Sequence, residues 1–422
     1  MGMRNIWREN NSLSWEVCGM LISFKVKNFR SFQEEIEFSM EAAPDIEAHR
    51  QTHVRSIGEF KLLKSAVLFG PNASGKSNFV EALSSLVFLI TKPTNDVTEL
   101  LFTNTFAFSS DKNTSYQIEF IRNSKHFIYA LEVNTNEVVF EQLLVNNAVC
   151  FERKRQEFVE TPKTLQNQTG SIRKNQLLLF FAQAKNDSRA VDAYIWFNQD
   201  LIFADSEQRQ ISLIFELRSK LQNPIFKEKF LAILKYADFD ITNIAVFDTP
   251  VPGSSARLSV WSHVITTHTD EAKNEFMTGM WEESEGTRKF VLVILEIMFN
   301  AMDDGKVIIF DEFDESLYQE LAQILVYSIN REKQNSQFIL TTHELSLMNC
   351  DLRTDQIYFT EKNRNNGSTK LLSLYDFDDP ELEKEYVNYE QRYLTGRYGV
   401  VPIIARYVIE GIFEEDDHVE TK

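Results

Sequence analysis

Gly70-Pro71-Asn72-Ala73-Ser74-Gly75-Lys76-Ser77 is the stretch that leaves this chain the fewest options. It fits G-x-x-x-x-G-K-[ST] without a gap. Its flanks predict a strand over 65–69 and a helix with Phe79, Leu83, Leu86, Val87 and Ile90 on one face. The chemistry needs these residue types. Glycines let backbone N–H groups turn inward on phosphate oxygens, and a helix N-terminus adds a favourable dipole. Lys76 then sits on the β/γ oxygens of ATP and the Ser77 hydroxyl ligates Mg²⁺, with Asn78 in the first helical turn beside them.

Val307-Ile308-Ile309-Phe310-Asp311-Glu312 is the second anchor. Four apolar residues in a row predict a fully buried parallel strand, and ligands bind at the carboxyl end of such strands in an open α/β sheet. There Asp311 is expected in the Mg²⁺ shell and Glu312 as the general base that polarises the attacking water.

Three further pieces stand in an informative order. Ser284-Glu285-Gly286-Thr287 precedes a helix and lies 27 residues before Asp311 (311 − 284). Asp314-Glu315-Ser316-Leu317 follows the acids, and Phe338-Ile339-Leu340-Thr341-Thr342 is a strand ending at His343, 32 residues beyond Asp311 (343 − 311). Serine and glycine at a helix N-terminus, here Ser284 and Gly286, make a second anion site that can clamp a γ-phosphate held by another subunit. A histidine at a strand end can donate a hydrogen bond to the same phosphate.

Around these anchors the pattern is mixed. Residues 1–19 are polar and unpatterned and read as an extension. The stretch 20–150 reads as an amino-terminal lobe: a strand with Leu21, Phe24, Val26 and Phe29, a second over 36–38, the phosphate loop, and a period-two meander from about 101. The segment 151–270 is expected to be a mainly helical insertion, with Ile211, Ile214, Leu217 and Leu221 at helical spacing. Residues 271–375 return to helix, strand, helix, strand as a carboxyl-terminal lobe, and 376–422 read as a tail in which Glu414-Glu415-Asp416-Asp417 is solvated.

Composition narrows the partners. Of the 422 residues 44 are basic and 62 acidic, a formal net charge of -18 that opposes tight, unspecific binding to a nucleic-acid backbone. Cys18, Cys150 and Cys350 are far apart, with no disulfide framework or zinc spacing. No run of 18 apolar residues occurs and no apolar core follows the first methionine, so a cytoplasmic protein is expected, without membrane contact.

The order P-loop, signature, acidic strand, D-loop and switch histidine resembles the ABC ATPase set. Leu21-Ile22-Ser23-Phe24-Lys25-Val26-Lys27-Asn28-Phe29-Arg30-Ser31-Phe32 resembles the opening strand of SMC and RecF-like ATPases, whose Asn-Phe-Arg-Ser element lies near the nucleotide. The resemblance leaves Arg30 either a phosphate contact or a surface arginine. Glu283-Ser284-Glu285-Gly286-Thr287, the D-loop, Asp355-Gln356-Ile357-Tyr358-Phe359, and Tyr393-Leu394-Thr395-Gly396-Arg397-Tyr398-Gly399 with Pro402 look like the bacterial AAA family ATPases that include abortive-infection and RloA-like proteins. Similarity spans roughly residues 20–405.

Two positions depart from the pattern: Tyr318 stands where family members often have histidine, and only Gln117 and Gln142 are candidates for a Q-loop glutamine. The insertion is short and lacks sustained heptads, which excludes a long coiled-coil arm.

The resemblance implies an α/β, ABC/SMC-type head: a mixed sheet with an antiparallel β subdomain plus the helical insertion. It implies an ATPase that forms a homodimer or higher even oligomer through a nucleotide sandwich. It further implies a regulator of a separate nuclease or toxin effector in phage defence, answering to a phage protein trigger. The alternative is a RecF-like DNA repair or recombination ATPase that binds DNA directly; the ATPase half of a membrane transporter fits the helical insertion and opening strand less well.

Overall fold

The computed structural model describes residues 19–252, 260–300, 305–331, 335–377 and 387–399. Residues 1–18 of the expected extension 1–19, Pro402 and the acidic run 414–417 lie outside the described residues.

The chain opens with β1 (Met20–Lys27) and β2 (Ile36–Ser39), then α1 (Arg50–His53) and the hairpin of β3 (Val54–Ile57) and β4 (Phe60–Leu63). Next come β5 (Ser65–Phe69) and α2 (Lys76–Thr91), then five antiparallel strands: β6 (Thr114–Arg122), β7 (Lys125–Val133), β8 (Val138–Val145), β9 (Ala148–Lys154) and β10 (Glu157–Glu160). Helices α3 (Leu178–Ala184) and α4 (Ser188–Ile195) lead to β11 (Leu201–Phe203), followed by α5 (Glu207–Lys220), α6 (Pro224–Tyr236), β12 (Ile241–Val246), β13 (Val264–Thr269) and β14 (Glu275–Gly279). The last stretch holds α7 (Glu285–Asn300), β15 (Val307–Phe310), α8 (Gln319–Ile329), β16 (Gln337–Thr342), β17 (Ile357–Lys362), β18 (Thr369–Ser373) and α9 (Tyr389–Leu394).

Two large sheets organise these elements. One is antiparallel, in the order β10-β9-β8-β7-β6-β1-β2, and its inner residues recur at period two, as in β6 with Tyr116, Ile118 and Phe120 buried. The other is the central sheet, β11-β15-β16-β5-β17-β18, parallel except where β18 joins β17. Its central strands β5, β15 and β16 are buried along their whole length because both faces are covered. Ala66, Leu68, Val307, Ile309 and Ile339 face α2, which lies between the two sheets with Phe79 against Phe24 and Phe38 at 5.9 and 5.0 Å. Val67, Phe69, Ile308, Phe310 and Leu340 face the other way, onto α7 and α8.

The stretch 151–270 differs from the expected helical insertion. Its first strands, β9 and β10, extend the antiparallel sheet to Glu160; β11 pairs in parallel with β15 at the edge of the central sheet; and β12-β13-β14 form a small sheet of their own. β11 has only three residues, too few for a period to show in sequence. Within α5 the buried face is Leu213, Ile214 and Leu217, while Ile211 is exposed. The tail, too, is partly built into the core: Tyr393 and Tyr398 pack on Phe359 of β17, each with ring centroids 5.4 Å away.

Asp355-Gln356 is architectural. Gln356 Nε2 donates to Ser65 O at 3.0 Å and to Asn330 Oδ1 at 3.1 Å, and Arg353 forms an ion pair with Asp355 at 2.6 Å. The Gln356 amide oxygen, 2.9 Å from His53 Nδ1, can only accept, so the ring donates from Nδ1. His53 is 4% exposed, and burial pushes its pKa down to about 4. The unfolded chain therefore takes up this proton first. The stability involved is intact above pH 6.5 and is lost as pH falls towards 4, about 2 kcal/mol of it between pH 7 and pH 5. Urea titrations at those two pH values should show that extra loss in the wild type and not in His53→Gln; equal pH slopes would refute a neutral buried His53.

Candidate functional site

The phosphate loop joins the end of β5 to α2. Ala73 (φ 62) and Gly75 (φ 115) curl it, and the latter is the left-handed N-cap of α2 with no side-chain hydrogen bond to the first-turn amides. Those amides are the unsatisfied donors of a helix start, aimed into the loop. Gly75 is forced by space as well: a Cβ there would lie 2.6 Å from Thr369 Oγ1. Lys76 is nearly buried, and its Nζ donates to Gly70 O at 2.7 Å and Pro71 O at 3.2 Å. Burial pushes its pKa below the ordinary value, and the charges of Glu312, Asp311 and Asp314, which follow β15, pull it back up. Ser77 is exposed at the loop mouth.

Strand order brings residues more than two hundred positions apart together. β16 lies between β15 and β5, with Phe310 opposite Leu340 and Thr342 opposite Phe69. Gly70, Asp311 and His343 thus leave three neighbouring strands at one sheet edge. Thr341 of β16 ties the acidic turn down: its hydroxyl donates to Asp311 Oδ1 at 2.5 Å and accepts from Glu312 N at 2.8 Å. Glu312 itself is exposed and held at φ 48, a conformation that a non-glycine residue enters only at some expense and that clusters at functional sites. His343 Nδ1 is 3.4 Å from Asp314 Oδ2, and the other Asp314 oxygen is buried with no hydrogen-bond partner.

Ser284 and Gly286 lie elsewhere. Ser284 caps α7, its Oγ accepting from Thr287 N at 3.0 Å, yet it remains exposed. A Cβ on Gly286 would be 2.4 Å from Ser316 O, so the D-loop backbone packs directly on this helix start. α7 runs back into β15, which puts its N-terminus at the same sheet edge as the phosphate loop, but on the opposite face from α2. The starts of α2 and α7 therefore lie on opposite faces of the central sheet.

Arg30 is half-buried, paired with Glu81, and its NH1 donates to Asn78 Oδ1 at 3.3 Å; it abuts the phosphate-loop helix rather than the loop itself. Gln142 of β8 donates to Glu152 Oε2 at 2.7 Å, and Gln117 lies in β6, so both Q-loop candidates belong to the antiparallel sheet. Sequence reasoning passed over Asp205. At the end of β11 it accepts from Asp311 N at 2.9 Å and from Lys289 Nζ of α7 at 2.8 Å, bracing the acidic turn against the helix that carries Ser284.

A parallel sheet with a glycine-rich loop and helix start after one strand and a carboxylate pair after another, one strand away, is the arrangement of a P-loop ATPase. The chain belongs to the family described as "AAA domain, putative AbiEii toxin, Type IV TA system", whose profile matches residues 65–349. Among solved structures it is similar to the SMC head domain from Thermotoga maritima (16% identity, TM-score 0.41, covering 84% of this chain and 98% of that one). It is also similar to an SmcHead bound to the C-winged helix domain of ScpA (12%, 0.46, 84% and 97%) and to an Smc head with an extended coiled coil bound to the C-terminal domain of ScpA derived from Pyrococcus furiosus (13%, 0.41, 85% and 97%). None of the curated proteins matches the chain.

Proposed function

We propose that this chain hydrolyses ATP with Mg²⁺ at a site completed by a second copy, and that it is the cytoplasmic regulatory ATPase of an anti-phage, abortive-infection system acting on a separate nuclease or toxin effector. One observation carries the hydrolytic half: Lys76, the uncapped amides of α2, Asp311, Glu312 and His343 converge on one sheet edge. In this reading residues 70–78 hold the phosphates, Lys76 neutralises the β/γ oxygens, Glu312 takes a proton from water, and His343, oriented by Asp314, donates to the terminal phosphate. Ser284 and Gly286 clamp that phosphate from the other copy.

The donor set fits a hard cation. Among the described residues no cluster of three His, Cys, Asp or Glu is placed to hold a metal alone, but Mg²⁺ is usually held by one or two carboxylates plus phosphates and water. Ser77 and Asp311 would hold it, and when bound it supplies charge neutralisation on the phosphates. Support for the defence role comes from the family description, which names a toxin and a type IV TA system, and from the resemblance to abortive-infection ATPases. No helix among the described residues is long and apolar enough to cross a membrane.

Removal of the loop ammonium tests the assignment. Lys76→Ala should weaken Mg·ATP binding roughly 10- to 100-fold, the worth of a charged hydrogen bond of about 1.5–3 kcal/mol, and abolish phage protection in cells. Wild-type affinity in this variant would sink the phosphate-loop reading.

A further inference from the structure

The phosphate loop is flanked on its other side by a recess that the motifs leave unassigned. The strand order β15-β16-β5-β17-β18 puts the acids on one side of β5 and the β17–β18 turn on the other. On that second side lies a cavity of about 530 Å³ lined by Arg30, Asn78, Asn104, Phe106, Phe108 and Lys362, among others. It is joined to the loop by a chain of hydrogen bonds. Asn78 Nδ2 donates to Ser31 Oγ at 2.7 Å, Thr369 Oγ1 lies 2.8 Å from Ser31 Oγ, and Thr369 Oγ1 donates to Ser74 O at 2.8 Å. With a terminal phosphate at Asp311 and Glu312 on one side of β5, the recess on the other side is where the rest of a nucleotide laid along the phosphate loop would extend.

The lining suits that end. None of the lining residues is acidic, and two are cationic, Arg30 and Lys362. Arg30 is paired with Glu81, yet its Nε is buried without a partner. Phe108 is 80% exposed, a large apolar ring left facing solvent at the mouth of a cavity. Phe106, only 4% exposed, meets it edge-on with centroids 5.8 Å apart. The loop beneath is pinned by Arg30 N donating to Asn104 O at 2.6 Å and Phe106 N to Asn28 Oδ1 at 3.2 Å. An exposed aromatic face on an anchored loop is a platform on which a base stacks, and the neighbouring Asn104 amide offers both a donor and an acceptor to a base edge.

We infer that this recess holds the nucleoside of the bound nucleotide, with Phe108 stacking on a purine and Asn104 reading its edge. The inference rests on the reading that residues 70–78 hold the phosphates. Equilibrium binding of Mg·ATP and of Mg·tripolyphosphate to the full chain separates the two. Phe108→Ala should weaken ATP roughly tenfold, as the loss of one base–aromatic stack does, and leave tripolyphosphate unchanged. Phe108→Trp should keep ATP affinity, and its indole emission should respond to ATP but not to tripolyphosphate. Unchanged ATP affinity in Phe108→Ala, or parallel weakening of both ligands, overturns the inference while leaving the phosphate loop intact. Undiminished binding of both ligands by Lys76→Ala refutes the phosphate-loop reading instead.

Discussion

Glu312→Gln should lower ATP turnover about 10²- to 10⁴-fold, the usual contribution of a positioned general base, while Mg·ATP affinity stays close to the wild-type value. The substitution is well isolated. The bonds that hold the turn run from Thr341 to the Glu312 backbone N–H and to the Asp311 carboxylate, so none of them involves the side chain being changed. Gln suffers the same penalty as Glu at φ 48, so unfolding should be unaffected. Glu312→Gly makes the complementary test. It relieves the left-handed strain, and should raise stability by about 1 kcal/mol while turnover is lost to the same extent as in Glu312→Gln. Steady-state phosphate release and denaturant titration of both variants check this. Turnover within a few-fold of wild type in Glu312→Gln would remove Glu312 from the chemistry.

How much of the fold and site is legible in the sequence follows from how local each feature is. The phosphate loop, the buried strand before Asp311 and the strand ending at His343 are contiguous, and the structure puts all three where strand and helix periodicity place them. Their convergence was not readable from periodicity, because it depends on β16 inserting between β15 and β5. Thr341 reads in sequence as one more strand residue; the fold is what brings its hydroxyl between Asp311 and the Glu312 backbone. Asp205 follows a strand of three residues inside a stretch that reads as helical, so nothing local marks it. The meander expected from about residue 101 begins at Thr114, since 101–113 is a loop anchored on Asn28 and Arg30. Resemblance singled out Asp355-Gln356 and Tyr393 to Gly399 without saying why. Both secure the central sheet, the first through Ser65 and Asn330 and the second against Phe359.

Mixing two inactive variants should restore activity, and this is the sharpest test of a shared site. Lys76→Ala lacks the loop ammonium, and Ser284→Arg places a bulky cation at the exposed start of α7, where the loss of the Ser284 cap costs only about 1 kcal/mol of stability. Each alone should be inactive if every nucleotide needs the loop of one chain and the α7 start of the other. In a mixed dimer one site combines both lesions, and its twin combines the intact loop of the Ser284→Arg chain with the intact Ser284 of the Lys76→Ala chain. Random pairing makes half the dimers mixed, each with one working site of two, so an equimolar mixture should recover about a quarter of wild-type turnover. The placement of α2 and α7 on opposite faces of the central sheet motivates this expectation, because it turns the two helix starts of one chain away from a common phosphate. In the proposed shared site Asp205 would link the two halves, since Lys289 of α7 and the backbone of Asp311 meet on its carboxylate. Asp205→Ala in the otherwise active mixture should therefore lower turnover more than ATP affinity. A mixture of Lys76→Ala and Ser284→Arg that stays inactive, with dimers confirmed by sedimentation, would show that the site is not shared.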